Sequence, residues 1–311
     1  MSTAFLFPGQ GSQSVGMGHA LYEQFPAARA RLEAVDAALD VDLLALMFGV
    51  GGAGEAEERL KQTEYTQPAL YAHSLAALAV LEQEGLRPDM VAGHSLGEYS
   101  ALAAAGALSF EDGLRVVRRR GELMAEAGER RPGAMAAVLG AEDAAVEAAC
   151  DEASAAGDGV VQPANYNAPG QIVISGDEAA VARATEAISG RALPLPVSGA
   201  FHSPLMDYAH DGLAEVLEDV TVAAPRCPVY LNVTAEPTTD PEEIRRRLME
   251  QLRAPVRWAQ ALRRMEADGA QRFLEVGAGN VLQGLVRRTL DDAGTVRGAG
   301  TPAEIEAAVH A

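Results

Sequence analysis

The segment Asp89-Met-Val-Ala-Gly-His-Ser-Leu-Gly-Glu-Tyr-Ser-Ala-Leu102 constrains this chain more than any other. Its first residues read as a strand, and Leu96 to Ala105 read as a helix. Between them Gly93-His94-Ser95-Leu96-Gly97 fits the G-x-S-x-G turn that exposes a serine nucleophile. The glycines let the backbone pass close on either side of a strained serine. The helix N-terminus then directs amide groups and positive potential toward a developing oxyanion. A strand that feeds a helix through a sharp turn belongs to an α/β sheet with mostly parallel strands.

Other parts of the chain repeat the pattern. Ala4–Phe7 reads as a strand ending at Pro8-Gly-Gln-Gly-Ser-Gln, and Arg272-Phe-Leu-Glu-Val-Gly-Ala-Gly as another ending in glycines. Leu70, Leu75, Leu78 and Leu81 form a helical stripe. The middle differs. Ala134–Gly140 is strand-like, Ala141–Ala156 helical, Val160–Asn165 and Gln171–Ser175 strands, Asp177–Ser189 helical and Arg191–Val197 extended. That βαββαβ order predicts a ferredoxin-like subdomain over residues 132–197. It would be inserted into a hydrolase-like α/β domain made of residues 1–131 and 198–311, and a chain of 311 residues suits two such units.

Composition narrows the function classes. Apolar residues make up 48% and charged residues 22%, which is globular and neither disordered nor fibrous. Twenty-five basic against 44 acidic residues give a net charge of −19, a surface that repels phosphate backbones and argues against nucleic-acid binding. No stretch reaches the ~18–20 apolar residues of a membrane span. Cys150 and Cys227 stand alone, with neither metal-ligand spacing nor a disulfide framework, and the opening residues have no basic segment before Pro8. A reducing cytoplasm is the expectation, with no metal.

A serine nucleophile needs a base, and six histidines are available. His310 lies at the terminus, His73 in a helical stripe, and His19 and His210 outside any turn. His94 adjoins Ser95, where its side chain would point away. His202, in Phe201-His202-Ser203-Pro204, follows a strand and precedes a helix start. A lone histidine there would more often cap a helix; beside the elbow it becomes the candidate base.

Six motifs then occur together: Gly9-Gln-Gly-Ser-Gln13, Gly93-His-Ser-Leu-Gly-Glu-Tyr-Ser-Ala-Leu102, Arg120-Gly121, Asn167-Ala-Pro-Gly-Gln171, Phe201-His202 and Glu275-Val-Gly-Ala-Gly279. In this order, over nearly the whole chain, they resemble the malonyl-CoA:acyl-carrier-protein transacylases, stand-alone relatives of the acyltransferase domains of fatty-acid and polyketide synthases. The resemblance implies the same hydrolase-like domain with a ferredoxin-like insert, and a cytoplasmic enzyme that is commonly monomeric. It departs at Ala254, where the family often has asparagine, and at Ala278, where proline is common.

Roles follow from the resemblance position by position. It implies Ser95 as nucleophile, His202 as general base, and the amides of Gln10 and Leu96 as the oxyanion hole. Gln251 would orient the histidine through its main-chain carbonyl. Arg120, 25 residues after Ser95, would clamp the malonyl carboxylate, as a planar fork suits; Arg115, Arg118 and Arg119 beside it suggest instead a solvated basic helix. Phe201 would crowd an α-methyl substituent and so select malonyl. The implied partners are malonyl-CoA as donor and the phosphopantetheine thiol of an acyl carrier protein as acceptor, with no resident cofactor. Arg287 and Arg288 are the candidate carrier-docking pair, because they follow the glycine turn at Gly277–Gly279. The elbow and histidine alone would also fit a serine esterase; Arg120 and the Gln10 loop separate the two.

Overall fold

In the computed structural model, which describes residues 2–197 and 199–310, two sheets divide the chain. The larger contains β1 (Ser2–Phe7) and β2 (Met90–Gly93); the smaller contains β3 (Ala134–Leu139), β4 (Val161–Ala168), β5 (Gln171–Gly176) and β6 (Arg191–Pro194). The chain then returns to the larger sheet with β7 (Val229–Tyr230), β8 (Pro237–Thr238), β9 (Ala270–Glu275) and β10 (Thr295–Gly298). The larger sheet has the order β10-β9-β1-β2-β7-β8 and is parallel except at the β7–β8 edge. β1 and β2 are buried on both faces, as continuous apolar runs in a covered parallel sheet should be.

Helices cover that sheet. Thr63–Gln83 carries Ala and Leu on nearly every side and is buried almost throughout, packed between Pro26–Ala38 and Phe110–Arg130. The latter starts at Ser109, whose side chain accepts from the Asp112 amide at 3.0 Å. It presents an apolar stripe inward, and Arg120 lies within that stripe. Among the described residues, no helix is long and apolar enough to cross a membrane.

The second sheet is antiparallel, in the order β4-β5-β3-β6, with Asp143–Ala155 and Glu178–Ala187 packed against it around Ile172, Ile174 and Val146. β4 runs to Ala168 rather than ending at Asn165, so Asn167 belongs to a strand and only Pro169-Gly170 turns. The pairing shifts register twice along β4 to allow it. β6 ends at Pro194, short of the extended run expected to Val197. Ser198, the expected start of the second half of the large domain, lies with Met1 and Ala311 outside the described residues.

Candidate active site

Because β1 and β2 are neighbours, the loops that leave their C-terminal ends lie side by side. One carries Gln10 and the other Ser95. The second loop is too tight for any side chain at its glycines. A Cβ on Gly93 would fall 1.9 Å from the Gly97 carbonyl, and one on Gly97 would fall 2.0 Å from the Phe7 carbonyl oxygen. Ser95 itself sits at φ 51, a left-handed conformation that costs a non-glycine residue about 1–3 kcal/mol. Asn232 braces it from both sides. Its Oδ1 accepts from the Ser95 amide at 2.7 Å, and its Nδ2 donates to the Gly93 carbonyl at 2.7 Å.

His202 is also left-handed, at φ 57. Its Nε2 stands 2.8 Å from Ser95 Oγ, while Nδ1 faces the carbonyls of Gln251 at 2.9 Å and Ala254 at 3.2 Å. Carbonyls only accept, so Nδ1 carries the proton and Nε2 offers its lone pair to the serine hydroxyl. The orienting groups are backbone, which explains why alanine at position 254 removes nothing from the histidine's setting. Burial, then the nearby Arg120 charge, push the His202 pKa down to about 3, so the ring is neutral at ordinary pH and free to take a proton.

The Ser95 amide is committed to Asn232. The amides of Gln10 and Leu96, both residues of the cleft wall, have no acceptor among the described residues. The Gln10 side chain donates to Thr63 Oγ1 at 3.1 Å, which fixes its loop to the helix Thr63–Gln83. The Leu96 amide at the start of the helix Gly97–Ala104 and the Gln10 amide from the loop after β1 form an arrangement that can receive an oxyanion.

Arg120 is buried, not part of a solvated basic helix. Nη1 donates to Gln67 Oε1 at 2.9 Å; Nη2 donates to Gln251 Oε1 at 2.9 Å and to Ser95 Oγ at 3.1 Å. All three acceptors are neutral. The nearest countercharge is one residue removed: Glu98 accepts from Gln251 Nε2 and from the Asn232 amide at 3.2 Å. Burial pushes the Glu98 pKa up to about 7, against the opposing pull of these donors and Arg120. A guanidinium so placed, beside the nucleophile and lacking a direct carboxylate partner, can take the carboxylate of a bound acyl group.

These groups open on a cleft of about 120 Å³, whose apolar wall is Met124, Met135, Leu195, Val197 and Phe201. A larger surface hollow of about 570 Å³ beside Tyr65 and Arg118 contains none of the catalytic candidates. The structure thus brings together Ser95, His202, Gln10, Leu96, Gln251, Arg120 and Phe201. It does not bring Arg287 and Arg288 to them. Both lie exposed in the last turn of the helix Val281–Thr289, Arg287 donating to the Val296 carbonyl at 3.0 Å and Arg288 to Gln171 Oε1. Sequence reading missed Asn232 and Glu98, and left Asn167 without a role. Asn167 Oδ1 accepts from His94 Nε2 at 2.8 Å and holds that ring beside Trp258.

Residues 4–305 match the family described as acyl transferase domain. The chain is 47% identical over 289 residues to the malonyl CoA-acyl carrier protein transacylase of Bacillus subtilis, covering 92% of this chain and 89% of that protein. Its fold matches the acyl-carrier-protein S-malonyltransferase structure of Bartonella henselae at 43% identity and a TM-score of 0.93, covering 100% and 99% of the two chains. A malonyl-transacylase solved with a type II PKS acyl-carrier protein matches with a TM-score of 0.92 and 38% identity, covering 100% and 99%.

Proposed function

This chain belongs to the acyl transferase domain family, and from that premise we propose how its residues transfer a malonyl group from malonyl-CoA to acyl carrier protein. It is an acyltransferase acting by double displacement. His202 Nε2 takes the Ser95 proton as Oγ attacks the malonyl thioester, and the tetrahedral oxyanion rests on the Gln10 and Leu96 amides. CoA leaves as its thiol with the proton from His202, and a malonyl ester remains on Ser95. The phosphopantetheine thiol of the carrier gives its proton to His202, attacks the ester and departs as malonyl thioester, returning the proton to Ser95. The overall exchange of one thioester for another is nearly isoenergetic, so positioning and exclusion of water govern the outcome.

Arg120 supplies the selectivity. In the free enzyme its Nη2 rests on Ser95 Oγ. The malonyl carboxylate replaces that neutral contact with a charged one and cancels the positive field that lowers the His202 pKa. A malonyl donor therefore raises the basicity of the residue that activates the nucleophile. A donor without a carboxylate does not.

The observation that carries this reading is the contact of one oxygen, Ser95 Oγ, with His202 Nε2 at 2.8 Å and Arg120 Nη2 at 3.1 Å. The test is incubation with malonyl-CoA alone, intact-mass measurement and peptide mapping. A malonyl adduct on Ser95 that a carrier thiol discharges is expected. An adduct elsewhere, none at all, or prompt hydrolysis would overturn it, the last in favour of an esterase. His202→Ala should slow acylation at least ~10²-fold.

The same reading covers the fold's finer description: a hydrolase-like domain carrying a ferredoxin-like insert over residues 132–197, supported by the βαββαβ element order and the β4-β5-β3-β6 arrangement. One chain supplies every group of the site, which supports action as a monomer. Malonyl-CoA and the carrier-borne phosphopantetheine are substrates, and their chemistry belongs to the cytoplasm. Carriers of fatty-acid and polyketide synthesis present the same thiol.

A further inference from the structure

We propose that Gln162 is a positioning residue for the catalytic base, through which β4 of the second sheet sets His202 against the carbonyls that orient it. This rests on the reading of His202 as the base. The Gln162 Nε2 donates at 2.9 Å to the His202 carbonyl and at 2.9 Å to the Arg253 carbonyl. Both neighbours can only accept, so the amide nitrogen must face them.

The two carbonyls come from separate stretches of chain. One belongs to the residue whose ring contacts Ser95. The other lies between Gln251 and Ala254, whose carbonyls receive the ring's Nδ1 proton. A single NH₂ group thus ties the histidine's backbone to the backbone of its orienting partners. β4 already grips the second stretch: the Val256 amide donates to the Ala164 carbonyl at 2.8 Å, and the Tyr166 amide to the Val256 carbonyl at 2.9 Å. Gln162 extends that grip to His202 itself. The tie matters because His202 stands at φ 57, a conformation an L-residue leaves unless its surroundings hold it. A backbone that relaxes there moves Nε2 away from Ser95 Oγ.

The test is single-turnover acylation of the full-length enzyme by malonyl-CoA, from about pH 5 to pH 8, where an unperturbed histidine would titrate. Gln162→Ala, Gln162→Glu and His202→Ala are compared with the natural sequence. Gln162→Ala should lower the acylation rate by up to about 100-fold at every pH, with the KM for malonyl-CoA unchanged, as expected for misplacement of a reacting group. Gln162→Glu keeps the shape but turns lone pairs toward two carbonyls, so it should be at least as slow near pH 8. As the pH falls its carboxyl gains a proton and a donor, and its rate relative to the natural sequence should rise. Loss of packing alone gives no such recovery. Natural rates in both variants, or a flat ratio across pH for Gln162→Glu, would overturn the proposal. Gln162 is only half-buried, so Gln162→Ala keeps the question answerable should the glutamate variant not fold: an unchanged rate in it is sufficient refutation. His202→Ala separates the two levels. If it acylates at the natural rate, the base itself is misassigned; if it is slow while the Gln162 variants are not, only the positioning role falls.

Discussion

Arg120 donates to the oxygen of Ser95, 25 positions earlier in the chain, at 3.1 Å. The cation that would hold the substrate's carboxylate thus touches the nucleophile in the free enzyme. On the proposed role of Arg120, binding the acyl group and releasing the serine hydroxyl would be one event.

Arg120→Ala should abolish preference for malonyl-CoA over acetyl-CoA. Truncating one partner of a buried charge pair costs ~2–5 kcal/mol, here on the malonyl side alone. Competition between the two thioesters reads it out, and equal decline of both would assign Arg120 a structural role. The acid limb of the acylation profile should also move upward in pH, because the Arg120 charge, second only to burial among the three causes that lower the His202 pKa, is removed.

Phe201→Ser should admit methylmalonyl-CoA. Phe201 lines the cleft beside Met135 and Val197, and removing its ring makes room for one methyl group. The gain is set by the ~1–3 kcal/mol that a single methyl group is worth in an apolar pocket. It is measured as the ratio of kcat/KM for the two donors, and an unchanged ratio would place the discrimination elsewhere.

Charge reversal at Arg287 and Arg288 should raise the KM for an acidic carrier while leaving self-acylation by malonyl-CoA intact. Both side chains are exposed and outside the cleft, so the change need not reach Ser95. Added salt should screen long-range repulsion between the two acidic proteins, with a Debye length of ~10 Å at 0.1 M. Unaltered carrier kinetics would move docking to another arginine cluster.

Stability should fall as the pH drops from neutrality toward about 5. His73, His94 and His202 are buried and held neutral, with pKa values below the ordinary 6.5. The unfolded chain takes up those protons below that value and the folded chain does not, so acid favours unfolding. Glu98 and Glu275, whose pKa values burial raises, oppose this by holding protons in the folded state. The Asp143 carboxyl is raised too, but from the lower ordinary value of 3.8. Between neutrality and about pH 5 the three histidines therefore act mainly against Glu98 and Glu275, and the acid-labile sign stands. Melting temperature against pH tests it, and His73→Gln should flatten the slope.

Features carried by short stretches of chain were legible in the sequence. The strand–turn–helix around Ser95, the four strands of the second sheet and the turn setting of His202 each depend on residues a few positions apart, as does the apolar stripe of the Thr63–Gln83 helix. Asn232 was not legible, because it acts on Ser95 across 137 positions and leaves no local period. Glu98 stood inside a quoted motif, yet its link to Arg120 runs through Gln251, 153 positions away. The short strands Val229–Tyr230 and Pro237–Thr238 were missed because two residues carry no alternation.

Among the described residues only three that are not glycine have positive φ, and two of these are Ser95 and His202. Two of the three strained positions are therefore the two that the proposed chemistry uses. Glycine at either position would relieve about 1–3 kcal/mol of strain and silence the enzyme. A lineage selected only for persistence would drift that way, toward a sturdier and inert relative.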